Sequence, residues 1–197
     1  MPSRALAVQA ASREEAGEPV SKVYENLSAI VAVCDNWGIG LGGDMVVSNR
    51  MDMRHFVRHT KGHTVIMGRK TLESFPGGRP LKDRRNIVLT RDASFARQGV
   101  EVVHSVEEAL AALAPDEEAW VVGGAEVYRQ LLPFCACAEV TKNHEVRPAD
   151  TFFPDLDADP AWRVTAVDGP HTVLPGEGDE GLVYEFVTYR HQNPQDR

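Results

Sequence analysis

Two short stretches hold residues that could do chemistry. In Asp52-Met-Arg-His-Phe56 a carboxylate stands four residues before an aromatic, at the start of an apparent helix, so both share one helical face. An anion beside a flat apolar wall suits a polar heteroaromatic ring. Just downstream, His63-Thr-Val-Ile-Met-Gly-Arg-Lys-Thr71 reads as an apolar strand ending in Gly68. It passes into Arg69, Lys70 and Thr71 at a helix start, where unpaired N–H groups and cationic side chains favour a phosphate. Ring site and phosphate site are therefore expected side by side. Taken alone, Asp52 reads better as an acid that compensates a helix dipole.

The elements that must position these groups follow from periodicity. Strands are expected at about 28–36, 63–68, 85–90, 100–104 and 119–123, and helices at about 50–60, 70–75, 105–114 and 125–132. Nearly continuous apolar strands point to an α/β fold with a parallel sheet covered on both faces. After Ala138 the pattern changes to strands at 138–146, 162–168 and 182–190 without intervening helices. The last two, joined by the Gly/Pro-rich stretch 169–181, should form an antiparallel hairpin at one edge. The carboxyl ends of the parallel strands then share one edge of the sheet. Four of them carry phosphate-type groups: Gly68-Arg69-Lys70-Thr71, Thr90-Arg91, His104-Ser105 and Gly123-Gly124. Four such ends suggest a dinucleotide, and two Arg residues suit the extra 2′-phosphate of NADP. Each of these turns taken singly is also what helix capping alone would produce.

Composition bounds the rest. A chain of 197 residues with 43% apolar content can bury one sizeable core, and a single domain over 26–191 is expected. Residues 1–25 read as a poorly ordered arm with no signal-peptide core, and 192–197 as a polar tail. A net charge of -8 argues against a nucleic-acid partner, and no apolar run approaches the length of a membrane helix. Three cysteines, Cys34, Cys135 and Cys137, fit reduced thiols in a cytoplasmic protein, and a monomer is expected. His55, His59 and His63 recur at i, i+4 and i+8, but the zincin Glu is missing and the helix should end near Gly62, so no metal is expected. Trp120 and Trp162 are expected in the core or in an interface.

Taken together, these motifs resemble the dihydrofolate reductase family. The resemblance runs from Ser28 to about Arg190 through Ile30-Val-Ala-Val, Gly38-Ile-Gly40, Asp52 with Phe56 and Thr60, Val65-Ile-Met-Gly-Arg-Lys-Thr71, Gly78-Arg-Pro-Leu81, Arg84-Arg-Asn86, Val122-Gly-Gly124 with Tyr128, Thr141, and Phe153-Pro154. It implies an eight-stranded, mostly parallel twisted sheet with flanking helices, NADPH as hydride donor, and reduction of dihydrofolate to tetrahydrofolate in one-carbon metabolism. It also implies antifolate inhibitors as ligands.

Carried over position by position, the resemblance makes Asp52 the catalytic carboxylate, orienting the pterin and favouring protonation at N5. Ile30, Val31, Phe56, Phe75, Leu81, Val122 and Thr141 would complete the substrate pocket, with Arg84 forking onto the glutamate carboxylate of the substrate. Bare sequence allows Phe56, Phe75 and Leu81 to be core, and Arg84 to be a solvated loop charge among Lys82, Asp83 and Arg85. The cofactor would meet Ala32, Ile39, Gly40, Gly68, Arg69, Lys70, Thr71, Thr90, Arg91, His104, Ser105, Val122 and the run Gly123-Gly124-Ala125-Glu126-Val127-Tyr128. The two glycines resemble the family's cis peptide. One departure matters: where the family usually has Pro-Trp, this chain has Val46-Val47. That leaves an apparent gap beside the pterin, in a loop whose glycines at 38, 40, 42 and 43 suggest a mobile lid. A pteridine or deaminated-pyrimidine reductase of the same superfamily, and a folate-binding homologue without turnover, are the rival readings.

Overall fold

The computed structural model describes residues 22–192, so most of the expected arm and tail lies outside the described residues. The chain opens with β1 (Tyr24–Cys34), then turns at Trp37, whose φ of +58° is left-handed. Two short strands, β2 (Gly38–Leu41) and β3 (Asp44–Met45), precede helix α1 (Arg50–Thr60). Next come β4 (Thr64–Gly68), α2 (Arg69–Ser74), β5 (Arg85–Leu89), β6 (Glu101–Val103), α3 (Val106–Ala111), β7 (Ala119–Gly123) and α4 (Ala125–Leu131). The chain ends with β8 (Cys135–Asn143), β9 (Thr151–Phe152), β10 (Trp162–Thr172) and β11 (Val183–His191).

Eight strands form one sheet in the order β10-β11-β8-β1-β7-β4-β5-β6. Pairings from β8 across to β6 are parallel, and β10 and β11 add an antiparallel edge. The α/β sheet and its edge hairpin are therefore as expected. The boundaries differ at the outer strands: β10 continues to Thr172, through residues expected in the connecting loop.

A second sheet, β3-β2-β9, was not legible in the sequence. Its strands are two to four residues long, too short to show an alternation. It changes the status of the glycine-rich loop, which is not a free lid in this structure. Gly42 N–H donates to Asp150 at 2.8 Å, and Arg147 donates to the Val46 carbonyl at 2.8 Å and to Asp179 at 2.5 Å. Ser48 and Arg50 are bonded to the 177–179 turn through Asp179 and the Glu177 carbonyl.

Two apolar layers cover the sheet. The larger includes Leu27, Ile66, Val121, Leu131 and Tyr189; the smaller holds Ile30, Val65, Met67, Leu72, Val88 and Trp120. Half-buried Phe56, Phe75, Leu81 and Val122 pack against the smaller layer and so form its open rim. Trp120 and Trp162 are buried, as expected.

Candidate active site

Helix α1 departs from the usual amphipathic pattern at several positions. Its outward positions include Met53 and Val57, 49% and 40% exposed, while His55 and Thr60 are buried. Polar groups turned inward imply a polar occupant. The helix starts where it does because the Asn49 side chain accepts from the N–H groups of Met51 and Asp52, at 2.9 and 3.3 Å. It stops at Lys61, and Gly62 follows at φ +87°.

Asp52 is half-buried in the first turn of α1. Its carboxyl is held above the usual carboxylate range by desolvation, against the opposing pull of the Thr141 hydroxyl. A helix start lowers a carboxyl's pKa, so an acid serving only to compensate the dipole would shift the other way. Burial dominates here, which favours the ligand-binding role. Thr141 is fully buried on β8, and the charge of Asp52 is felt by Tyr128 and Tyr184.

One helical turn on from Asp52 lies Phe56, and one turn further Thr60. The Thr60 hydroxyl donates to the Phe56 carbonyl at 2.8 Å and accepts from Arg84 Nε at 2.9 Å. Arg84 also donates to the Lys82 carbonyl at 2.7 Å, and its guanidinium carbon lies 5.8 Å from the centre of the Phe56 ring. It is half-buried, with burial tending to lower its pKa, so it is not a loose surface charge. Carboxylate, apolar wall and guanidinium thus follow one another along eight residues of helix, roughly 12 Å at 1.5 Å per residue. The loop bearing Arg84 is tied down by Asn86. This buried side chain accepts from Leu81 N–H at 2.9 Å and donates to the carbonyls of Leu81 and Arg84 at 2.9 and 3.0 Å. A lone Asn inside an apolar strand was the available signal for it.

The second half of the site lies at the carboxyl ends of β4 and β7, where Met67 pairs with Gly123. A Cβ on Gly124 would lie 3.3 Å from the Thr71 hydroxyl, and one on Gly68 3.2 Å from Val127. Bare backbone is what this close approach needs. The Gly123–Gly124 peptide is cis, as expected. Helix capping separates the four helices into two kinds. Asn49 and Ser105 cap α1 and α3 with their side chains, whereas α2 and α4 start at Gly68 and Gly124 with no side-chain cap. The first-turn N–H groups of α2 and α4 are therefore open to an anion; Arg69 and Lys70 begin α2, and exposed Arg91 follows the end of β5, which pairs with β4. These groups suit a pyrophosphate with an additional phosphate.

Other expected cofactor residues have structural commitments. The Ser105 hydroxyl accepts from Glu108 N–H at 3.1 Å as the cap of α3, and His104 Nδ1 lies 2.9 Å from the Thr90 carbonyl. Arg69 is paired with Glu73 at 2.8 Å, so a phosphate would have to draw it away. Glu126 is turned onto its own helix, against Arg129 and Gln130. Tyr128 is buried, and its hydroxyl donates to the Ile30 carbonyl at 2.6 Å, so it can fix the β1 backbone beneath the cleft. Ala32 on β1, Ile39 and Gly40 on β2, and Val122 on β7 are half-buried, while Val31 is buried.

Val47 does not leave an open gap. It is 8% exposed and packs with Cys34, Val173, Leu182 and Tyr184, contributed largely by the C-terminal edge hairpin.

The chain matches the family model described as dihydrofolate reductase over residues 26–190. A dihydrofolate reductase of Staphylococcus haemolyticus is 39% identical over 163 residues, covering 83% of this chain and 93% of that protein. One of Bacillus subtilis is 36% identical over 169 residues, 85% of this chain and 95% of its own length. Among solved structures, a dihydrofolate reductase from Enterococcus faecalis complexed with NADP(H) and RAB-propyl superposes with a TM-score of 0.75 at 34% identity. It covers 86% of this chain and 98% of that one.

Proposed function

Since this chain belongs to the dihydrofolate reductase family, we propose that it reduces 7,8-dihydrofolate to 5,6,7,8-tetrahydrofolate, serving one-carbon metabolism and thymidylate synthesis. The cofactor is NADPH, a reading supported by the Enterococcus relative solved with NADP(H). Bound NADPH supplies the hydride, delivered to C6 of the pterin. The observation that carries the substrate reading is the line of Asp52, Phe56, Thr60 and Arg84, with Arg84 Nε fixed on Thr60 at 2.9 Å.

Each residue's part follows from its chemistry. The two Asp52 oxygens accept a parallel pair of N–H donors from one edge of the pterin, which fixes the ring and stabilises the protonated form that hydride attack needs. A carboxylate on that edge does not reach N5, so water delivers the proton there. Thr141 supports Asp52 from β8, and Phe56, Phe75, Leu81 and Val122 exclude water from the ring and benzoyl group. Arg84, held on one edge by Thr60, keeps donors for the substrate's glutamate carboxylate, a geometry a guanidinium can match with two bonds. Uncapped helix starts at Gly68 and Gly124, with Arg69 and Arg91, hold the cofactor phosphates. Antifolates would compete for the Asp52 pocket. Three free thiols fit a cytoplasmic setting, and a monomer suffices for every group named.

Arg84 also separates this reading from a general pterin reductase. Dihydrofolate-dependent NADPH oxidation by the purified chain is the first expectation, and its absence would leave only a binding protein. Arg84→Leu should then raise the Michaelis constant for dihydrofolate by the equivalent of about 2–5 kcal/mol while turnover falls much less. A dihydropterin without the benzoyl-glutamate tail should treat both proteins alike. Unchanged dihydrofolate kinetics would remove Arg84 from the site.

A further inference from the structure

Outside the pterin line, α1 carries a second set of inward groups. His55 and His59, one turn apart, face Glu139 on β8, and one donor atom from each of the three lies within 4.8 Å of the others. His55 is 8% exposed, and its Nε2 is buried without a hydrogen-bond partner. That nitrogen points at Glu139 Oε2 from 4.0 Å, beyond hydrogen-bond reach. An unpaired nitrogen in such a place is costly unless something occupies the space between them. His59 makes ring contacts with His55 and Trp120 at 4.4 and 5.1 Å, and Phe186 stacks on His55 at 4.1 Å. Glu139 is oriented by the Thr188 hydroxyl, 3.1 Å from both its oxygens, and by the Cys137 thiol at 3.8 Å.

The structure assigns to His55, His59 and Glu139 a binding site for a divalent transition-metal ion of the zinc class. Two imidazoles and one carboxylate are a donor set for zinc, nickel or copper rather than magnesium or calcium, which want oxygen alone. Bonds of about 2.0–2.2 Å put tetrahedral ligands ~3.4 Å apart, so side-chain rotations that bring the three donors in by about 1 Å would complete three positions and leave the fourth to water. The hydrogen bonds to Glu139 are the kind of outer support that such ligands receive. The spacing i, i+4 was visible in sequence, but the third ligand lies 80 positions away and only β8 brings it there. His63, the third histidine of the sequence pattern, points elsewhere, 3.6 Å from Glu118. An ion here would join α1 to β8, the same two elements that carry Asp52 and Thr141.

The test uses the full chain, without an affinity tag and stripped with a chelator. Calorimetric titration with Zn²⁺ should show one equivalent bound at micromolar protein, a raised melting temperature, and with Co²⁺ in its place a tetrahedral visible spectrum. His59→Ala and Glu139→Gln should each weaken Zn²⁺ by at least the ~10–100-fold that even outer-shell changes cost. Melting curves in chelator, close to the parent's, establish that both variants are folded. His63→Ala should bind as the parent does. No saturable binding, or equal loss in all three variants, would overturn the site, as would affinity unchanged in both His59→Ala and Glu139→Gln.

Discussion

Asp52 is the residue where stability and function pull in opposite directions. Its folded-state pKa is raised by burial, so the native protein binds a proton more readily than the unfolded chain does. Its favourable contribution is present below the ordinary carboxyl pKa and is lost as pH rises through the raised value. At neutral pH the buried carboxylate therefore weighs against folding, a burden that the proposed pairing with the substrate's ring N–H groups would relieve. Asp52→Asn should lower turnover by about 10²–10⁴-fold, the range for a positioned acid–base group. The loss should shrink in acid, where free substrate is already protonated. The same variant should melt no lower than the parent at pH 7, with the two converging as pH falls. Near-parental turnover at pH 7 would take Asp52 out of the mechanism, and a lower melting temperature would mean that its environment is not the one described.

At the scale of elements, the loop between β2 and α1 is held by its partners rather than by its own sequence. Gly178 sits at φ +131°, and a Cβ there would meet the Ser48 carbonyl oxygen at 2.1 Å. No flexible side chain can yield at that contact, because both sides are backbone. Gly178→Ala should therefore detach the 177–179 turn from Ser48 and Asn49, loosening the cap of α1 and with it Asp52. We expect destabilisation of about 1–3 kcal/mol in denaturant titrations and a lower turnover; parental values for both would show that the contact does not hold the loop. Val47 makes a complementary case. Sequence alone suggests a vacancy that a Trp could fill, but Val47 already packs among Cys34, Val173, Leu182 and Tyr184. Val47→Trp should overpack that cluster by about 1–3 kcal/mol and give no faster hydride transfer in single-turnover kinetics. A stable, faster variant would restore the vacancy.

Across the whole molecule, acid sensitivity should follow Glu117, which joins separate parts of the sheet. Burial pushes its carboxyl up, but the Thr64 hydroxyl, the Ala114 N–H and Arg85 outweigh that and hold it down at about 2. Arg85 reaches both Glu117 oxygens at 2.8 Å and Glu101 at 2.5 Å, so β4, β5 and the turn before β7 meet at Glu117, and β6 joins them through Arg85. A depressed carboxyl contributes stability above its ordinary value of 4.5, and that stability is lost as pH falls toward about 2. Glu117→Gln should cost on the order of 1–2 kcal/mol at pH 7, allowing for solvent around Arg85, and progressively less below pH 4.5. Urea titrations at neutral and acid pH measure this, and a difference that does not change with pH would point to packing instead.

How much of this was readable from the chain depends on the range of the interactions involved. The parallel strands, helix α1 from Arg50 to Thr60, the edge hairpin and the strand-end positions of Gly68, Thr90 and Gly123 are written in local periodicity and turn residues, which need no tertiary context. The Asp52–Phe56 spacing lies within one turn of helix and was equally plain. What sequence could not decide was which polar groups meet across strands. That Arg84 leans on Thr60, that Tyr128 reaches the Ile30 carbonyl, that Gly178 pins Ser48 and that Glu139 arrives opposite His55 and His59 depends on pairs 24 to 130 positions apart. Such pairs leave no periodic signal, because the sheet order that creates them is set by burial of the whole apolar surface at once.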